Sequence, residues 1–248
     1  MKFVLPVSLA LAGTCASASV FVLGDATRTL EAATAAVLDP NIIIDPGSGS
    51  LTKTGTGEWT PPGVHADSTY IFNGRILASS EVFITHSSDV SGLQIRGDTS
   101  IKLAASVDGF PGYARASATE AFSVAFSLTE PTPMVLSNDT TLVAVVGGFG
   151  QPVVSGAAEL SFAAGGVVLS LPLFADGSAQ ALLQPGDYVF TANSTVTART
   201  LGFVLGDVGF EGSNSYSLTV VPEAEQYGLA AAAGLLGFGL WRRRAATR

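Results

Sequence analysis

Histidines and aspartates are the first residues of this chain to consider for chemistry, because they can ligate a metal or transfer protons. The two histidines, His65 and His86, stand 21 residues apart, and Asp67 and Asp89 lie close behind them in sequence. A metal site would need both carboxylates as further ligands. The same pattern fits two surface histidines, one on a loop and one at a strand end, and we expect that simpler arrangement.

Glutamates could form a glycosidase pair, which needs two carboxylates about 5 to 10 Å apart across a cleft. Glu81, Glu120 and Glu159 lie on predicted strands, and we expect a solvated sheet face for them. Aspartates at predicted turns could instead hold a structural calcium in a secreted β protein. These are Asp98, Asp108, Asp176 and Asp187. We predict no cofactor, with that calcium as the alternative.

Two short motifs match those of penicillin-recognising enzymes, in which a serine opens a helix and a Lys-Thr-Gly lies on a distant strand. Here Ser50 to Lys53 and Lys53 to Gly55 share a residue in one Gly-rich stretch, so we interpret both as coincidence. The sequence contains no nucleophile elbow, P-loop or dinucleotide fingerprint. We therefore predict a non-enzymatic protein without catalytic residues, with a secreted hydrolase as a lesser alternative.

Aromatic side chains could serve as platforms for sugar rings. Trp59, Tyr70, Phe110 and Tyr113 are the candidates, although aromatic residues make up only 8% of the chain. They support one alternative function, a carbohydrate-binding module with a β-sandwich body.

The elements that would position these residues are predicted to be β-strands. The chain is rich in Gly, Ala, Ser, Thr and Val, with turn signals about every ten residues, which favours an all-β fold. We predict an antiparallel β-sandwich of jelly-roll or immunoglobulin-like type. Short strands are predicted at 19–23, 41–44, 70–72, 75–77, 82–85, 92–96, 101–107, 134–136, 140–146, 159–163, 167–171, 179–183, 187–192, 195–200 and 216–220. Residues 29–38 fit helix or strand, and residues 48–63 read as a loop.

Three local patterns are more specific. Asn73-Gly74 between apolar runs predicts a tight hairpin. From Ala116 to Leu128 apolar residues recur with a period of two, which puts Phe122, Val124, Phe126 and Leu128 on one buried face. Pro185-Gly186 followed by Tyr188 predicts a corner at which the tyrosine hydroxyl turns back, as in many β-sandwiches.

The body of the chain divides at Asp108 to Gly112, a stretch that interrupts the strand pattern. We predict an N-terminal β region at 19–112, which could be part of one sandwich, and a β-sandwich region at 113–221. Asn138-Asp139-Thr140 and Asn193-Ser194-Thr195 match glycosylation sequons, and we interpret them as turns.

The first 18 residues are typical of a secretory signal peptide. Lys2 gives the positive start, an apolar run follows, and Ala16-Ser17-Ala18 is a small-x-small site that predicts cleavage after Ala18. A lipoprotein signal with Cys15 acylated is the alternative. After cleavage at Ala18 the chain has no cysteine, which excludes disulfides and thiol chemistry.

The last residues carry three features in order. Pro222-Glu223-Ala224 begins a short acidic peptide, an apolar run extends from Tyr227 to Trp241, and Arg242, Arg243 and Arg244 follow. A helix over the run would be about 22 Å long, which is short for a bilayer core of roughly 30 Å. Interfacial aromatics and cytoplasmic arginines nevertheless favour a transmembrane helix over a buried core helix. With the N-terminal signal, the predicted topology is body outside and tail inside.

These residues resemble the PEP-CTERM sorting signal of Gram-negative bacteria, at 222–248, with Ala224 where the third residue is usually proline. The Ser/Ala-rich β region before it is also similar to domains that often precede such tails. The resemblance implies an exosortase as processing partner, an inner-membrane-anchored intermediate with the body in the periplasm, and a final place at the cell surface or outside the cell. It also implies association with exopolysaccharide or biofilm.

The charge of the body bears on its partners. Of the chain's 20 acidic and 12 basic residues, 18 and 7 lie in residues 19–221, so the body carries a net charge of about −11. That charge favours solubility and argues against nucleic acid or anionic lipid as a partner.

Overall fold

The computed structural model describes residues 21–37, 45–72, 75–91, 94–108, 112–143, 146–147, 152–202 and 206–221. Both targeting segments, the strand predicted at 41–44 and Phe110 lie outside these residues. Every regular element in the described part is a β-strand, so the all-β prediction is confirmed. Among the described residues no helix is long and apolar enough to cross a membrane.

The strands are long and follow one another closely. In chain order they are β1 (Phe21–Val37), β2 (Asp45–Thr54), β3 (Val64–Phe72), β4 (Arg75–Ser91), β5 (Gln94–Val107), β6 (Gly112–Leu128), β7 (Thr132–Val143), β8 (Val146–Gly147), β9 (Val153–Phe162), β10 (Val167–Pro172), β11 (Gly177–Leu183), β12 (Gly186–Gly202) and β13 (Gly206–Val220).

Two antiparallel sheets face each other as a sandwich. The first sheet has the order β10-β9-β12-β6-β1-β2, and the second has the order β11-β7-β13-β5-β4-β3, with the short β8 also paired to β13. Strands from either side of residues 108–112 pair directly, since β1 pairs with β6 and β5 with β13. Both sheets therefore combine strands from the two predicted regions.

The inward-facing residues of β6, which recur with a period of two, form part of the hydrophobic core. Phe122, Val124, Phe126 and Leu128 are all buried, as predicted. Burying an aliphatic or aromatic side chain of this size contributes roughly 1.5 to 3 kcal/mol. These residues belong to a core cluster rich in large side chains, and a second cluster towards the other end of the strands is rich in alanine. Between the two clusters lie buried polar side chains.

Residues 48–63 are not a loop throughout, because their first part belongs to β2, which pairs with β1 along its full length. Glycine explains why this strand was missed. A Cβ on Gly47 would come within 2.1 Å of the Asp67 carbonyl oxygen, and one on Gly49 within 2.8 Å of Val64. Glycine thus permits β2 to lie directly against β3 at the edge of the sandwich, where side chains would separate the strands.

Four further positions that were predicted to lie at turns lie in strands instead. Asn138-Asp139 and Asn193-Ser194 lie inside β7 and β12, where neighbouring strands satisfy their backbone groups. Asp98 and Asp187 likewise lie in strands, whereas Asp108 and Asp176 lie between strands, as predicted. Residues 29–37 are strand, which resolves the helix-or-strand alternative.

Two local predictions are confirmed. Phe72 pairs with Arg75, so β3 and β4 form a hairpin joined by Asn73 and Gly74, which themselves lie outside the described residues. The Tyr188 hydroxyl donates to the Gln184 carbonyl oxygen at 2.7 Å, which is the predicted tyrosine corner. Burial raises the pKa of this phenol, and the bond to Gln184 opposes that shift.

Candidate functional site

The structure separates the two histidines that the sequence offered as a metal site. His65 lies on β3 rather than on a loop, and its side chain is 48% exposed. His86 lies on β4 with its side chain only 1% exposed, so the prediction of two surface histidines is wrong for His86. No group of three or more histidine, cysteine, aspartate or glutamate side chains in the described ranges is arranged to hold a metal ion.

His65 instead belongs to a surface groove on the outer face of β3 and β4. Its Nε2 lies 3.2 Å from Glu81 Oε1, and its Nδ1 lies 4.0 Å from Asp67 Oδ1. The groove has a volume of about 380 Å³ and is otherwise lined by hydroxyls and alanine. The side chains of His65, Asp67 and Glu81 are 48%, 74% and 69% exposed, so solvent largely screens any attraction between them.

Glu120 is the main departure from the sequence prediction, because it lies in the interior and not on a solvated face. Its side chain is 1% exposed. Oε1 accepts from the Tyr216 hydroxyl at 3.0 Å and lies 3.0 Å from His86 Nδ1, while Oε2 accepts from Ser194 Oγ at 3.2 Å. A buried carboxylate is tolerated only with such partners. Glu81 and Glu159, by contrast, lie on outward faces as expected.

The partners of Glu120 come from both sheets. His86 Nδ1 also lies 2.9 Å from Thr99 Oγ1, so β4, β5, β6, β12 and β13 all contribute to one cluster. Gly97 on β5 makes room for Tyr216, because a Cβ there would come within 2.3 Å of the tyrosine ring. Burial, reinforced by the charge of Glu120, raises the pKa of Tyr216 well above its ordinary value, so the phenol remains a donor.

Arg28 adds a cation to this layer and ties down the segment between β2 and β3. Nε donates to Ser88 Oγ at 2.5 Å, Nη1 to the Gly55 carbonyl at 2.6 Å and Nη2 to the Gly57 carbonyl at 3.0 Å. Burial lowers the pKa of Arg28, and the nearby Tyr216 and Asp89 oppose that shift. If the segment with Gly55 and Gly57 moved away from the sandwich, the Arg28 guanidinium would lose two hydrogen-bond acceptors. The cost of those unmade bonds keeps the segment in place.

Trp59 packs against Arg28 and His86 from the surface side of this layer. Its backbone exchanges two hydrogen bonds with Ser88, at 2.8 and 2.9 Å, and its ring centroid lies 5.6 Å from that of His86. The Arg28 guanidinium carbon lies 5.9 Å from the Trp59 centroid and 5.5 Å from that of Phe122. We call the side chains of Arg28, His86, Ser88, Thr99, Glu120, Ser194 and Tyr216 the buried polar layer.

The buried polar layer suits structural specificity better than catalysis. Its members mostly bond to one another or to Gly55 and Gly57, beneath the cover of Trp59. His86 Nε2 is the exception, with no hydrogen-bond partner among the described residues. Because a slip of one residue in β6 would turn Glu120 outward and an alanine inward, the layer penalises wrong registers.

The other predicted site residues are spread over the surface. Ser50 and Lys53 lie on the edge strand β2, exposed and opposite Glu31 and Arg28. Among the aromatic candidates, Trp59 and Tyr70 are half-buried against the alanine-rich core cluster. Tyr113 is half-buried at the start of β6, with the Arg199 guanidinium 5.2 Å from its ring centroid.

No protein-family model matches this chain, and no curated protein matches it. A solved structure of infectious bursal disease virus, Gx strain, is similar at 11% identity, with a TM-score of 0.27, over 84% of this chain and 58% of that one. An α-xylosidase of glycoside hydrolase family 31 from Xanthomonas citri is similar at 6% identity, with a TM-score of 0.17, over 71% and 32%. The chain spans less than two thirds of the length of either structure.

Proposed function

We propose that this chain is an exported, non-enzymatic surface protein of a Gram-negative bacterium, sorted and processed through a PEP-CTERM signal at 222–248. An N-terminal signal helix and a C-terminal transmembrane helix, neither within the described residues, would deliver a sandwich of jelly-roll or immunoglobulin-like type. The protein passes through an inner-membrane-anchored intermediate with its body in the periplasm. An exosortase then acts at Pro222-Glu223-Ala224, and the body joins the exopolysaccharide layer.

The observation that best supports the proposal is where the two ends of the body lie. Phe21, three residues after the predicted cleavage site, pairs with Leu128 at the end of β6. Val220, two residues before Pro222, pairs with Met134 at the start of β7. Since residues 129–131 join β6 to β7, both ends of the body leave the same end of the sandwich. This arrangement lets both flanking segments reach one bilayer from the same side.

The body remains folded up to the sorting motif. The Val221 amide still donates to the Pro133 carbonyl oxygen at 2.8 Å. Residues 222–226 then separate the sandwich from the apolar run, and five residues span at most about 18 Å when extended. An anchored body would therefore stand close to the membrane surface.

The proposal is tested by following the chain in its own host. With Pro222 and Glu223 both changed to alanine, we expect full-length protein to accumulate in the inner membrane. Deleting 222–248 should release an unprocessed body into the periplasm. Glu130→Gln, a change at the same end of the sandwich, should be processed normally. If the alanine variant and the deletion both show the size and location of the parent, the sorting role is wrong.

A further inference from the structure

The charges on the two outer faces of the sandwich are distributed unequally. The outer face of the second sheet carries many acidic side chains, which are Asp67, Glu81, Asp89, Asp98, Asp139, Asp207 and Glu211. The outer face of the first sheet carries mainly hydroxyls over its middle rows and fewer acids, which are Glu31 and Glu159 there and Asp25 and Asp187 towards one end. Acidic side chains are thus denser on the outer face of the second sheet than on that of the first.

Hydroxyl rows cross the first sheet in register. One row runs through Ser50, Glu31, Thr119, Thr195 and Ser155, and the next through Ser48, Ala33, Ser117 and Thr197. Ser117 and Thr197 are 3.2 Å apart between their oxygens, and Thr119 and Thr195 are 3.5 Å apart. Each such pair keeps lone pairs and a proton available to a polar ligand.

The row beyond Ser117 and Thr197 places two arginines side by side. Arg115 on β6 and Arg199 on β12 are direct cross-strand partners, and both are exposed. Like charges directly opposite each other destabilise a sheet. Neither arginine has a carboxylate partner in the part of the chain that the structure describes. The remaining neighbour is Tyr113, whose ring stacks with the Arg199 guanidinium.

We propose that Tyr113, Arg115 and Arg199 form a binding site for a carboxylate group of an acidic polysaccharide, with Ser117 and Thr197 binding hydroxyls of the adjoining sugar. A guanidinium fork matches the planar carboxylate with two parallel hydrogen bonds. A carboxylate between the two guanidinium groups removes their repulsion. This inference rests on the proposed function, since it assigns a site and a chemical class to the exopolysaccharide contact.

The test is affinity electrophoresis of the full-length protein in detergent, in gels that contain polygalacturonate, dextran sulfate or neutral hydroxyethylcellulose. We expect polygalacturonate to retard the protein most. Arg115→Gln combined with Arg199→Gln should weaken that binding by about tenfold or more, because charge-assisted hydrogen bonds are lost at both positions. Ser117→Ala combined with Thr197→Val should weaken it by a smaller factor.

The matched control is Arg96→Gln combined with Lys102→Gln on the outer face of the second sheet. It removes the same charge, so an unchanged affinity shows that the site and not the net charge is responsible. Equal losses of affinity in the Arg115/Arg199 variant and in this control would overturn the proposal. Stronger binding to dextran sulfate, or no retardation by polygalacturonate, would also overturn it. Unfolding midpoints confirm that the variants are folded. Because binding is measured on purified protein, its outcome is independent of whether the tail is processed in cells.

Discussion

At the scale of single residues, Glu120 shows how a polar side chain can be placed inside a β-sandwich. It occupies an inward position of β6 between Ala118 and Phe122, where it accepts from the Ser194 and Tyr216 hydroxyls and lies 3.0 Å from His86 Nδ1. The sequence contained the signal, because Glu120 shares the parity of the apolar series in that strand. Arg28 and His86 likewise share parity with Leu30 and Ile84, and periodicity alone could have placed them inside.

Replacing Glu120 by alanine tests that role. The change leaves the Tyr216 hydroxyl, Ser194 Oγ and His86 Nδ1 without their common acceptor in a buried place. Breaking a buried ionic network by removing one member costs about 3 to 5 kcal/mol. We expect the free energy of unfolding, measured by urea denaturation, to fall by that amount. Glu159→Ala on the outer face should change it by less than about 0.5 kcal/mol, and equal losses would contradict the assignment.

At the scale of elements, glycines explain which strands sequence could and could not predict. Apolar alternation predicted the buried face of β6 because from Phe122 to Leu128 its inward residues are large and its outward residues small. The same rule missed β2, where Gly47 and Gly49 supply close approach instead of side chains. Asn193-Ser194 looked like a turn because local propensity says nothing about Glu120, the distant partner of Ser194. Tertiary partners of this kind are not visible in a single sequence.

Gly97 provides a test of this close packing between neighbouring strands. An alanine Cβ would lie 2.3 Å from the Tyr216 ring, so the ring must move away from Glu120. Overpacking of this kind costs about 1 to 3 kcal/mol, and we expect a lower midpoint in thermal unfolding. Gly177→Ala in β11 is the matched control, because its Cβ would make only an ordinary contact of 3.4 Å with Leu171. A similar loss in both variants would show that the Tyr216 contact is unimportant.

At the scale of the whole molecule, the short connection at 222–226 sets the distance between the folded body and the proposed cleavage site. With Val221 still bonded to Pro133, an enzyme in the membrane must approach closely to the sandwich. Inserting Gly-Ser-Gly-Ser-Gly between Val221 and Pro222 adds at most about 18 Å of reach. We expect faster processing in pulse-chase experiments, with the same insertion before Phe21 as the control. Slower processing would mean that the body itself helps to present the motif.

The position of β13 in the second sheet also bears on the order of events in the proposed export. This strand is the last of the sandwich in sequence, yet it lies in the middle of its sheet, between β7 and β5. Contacts between β5 and β13 close a long stretch of chain, and such non-local pairings form slowly. The second sheet therefore stays incomplete until residue 220 is available, and in the proposed route this means until the export channel has delivered it. If the tail is a membrane anchor as proposed, folding of the body would finish only as the tail enters the bilayer, so that anchoring and maturation would coincide in time.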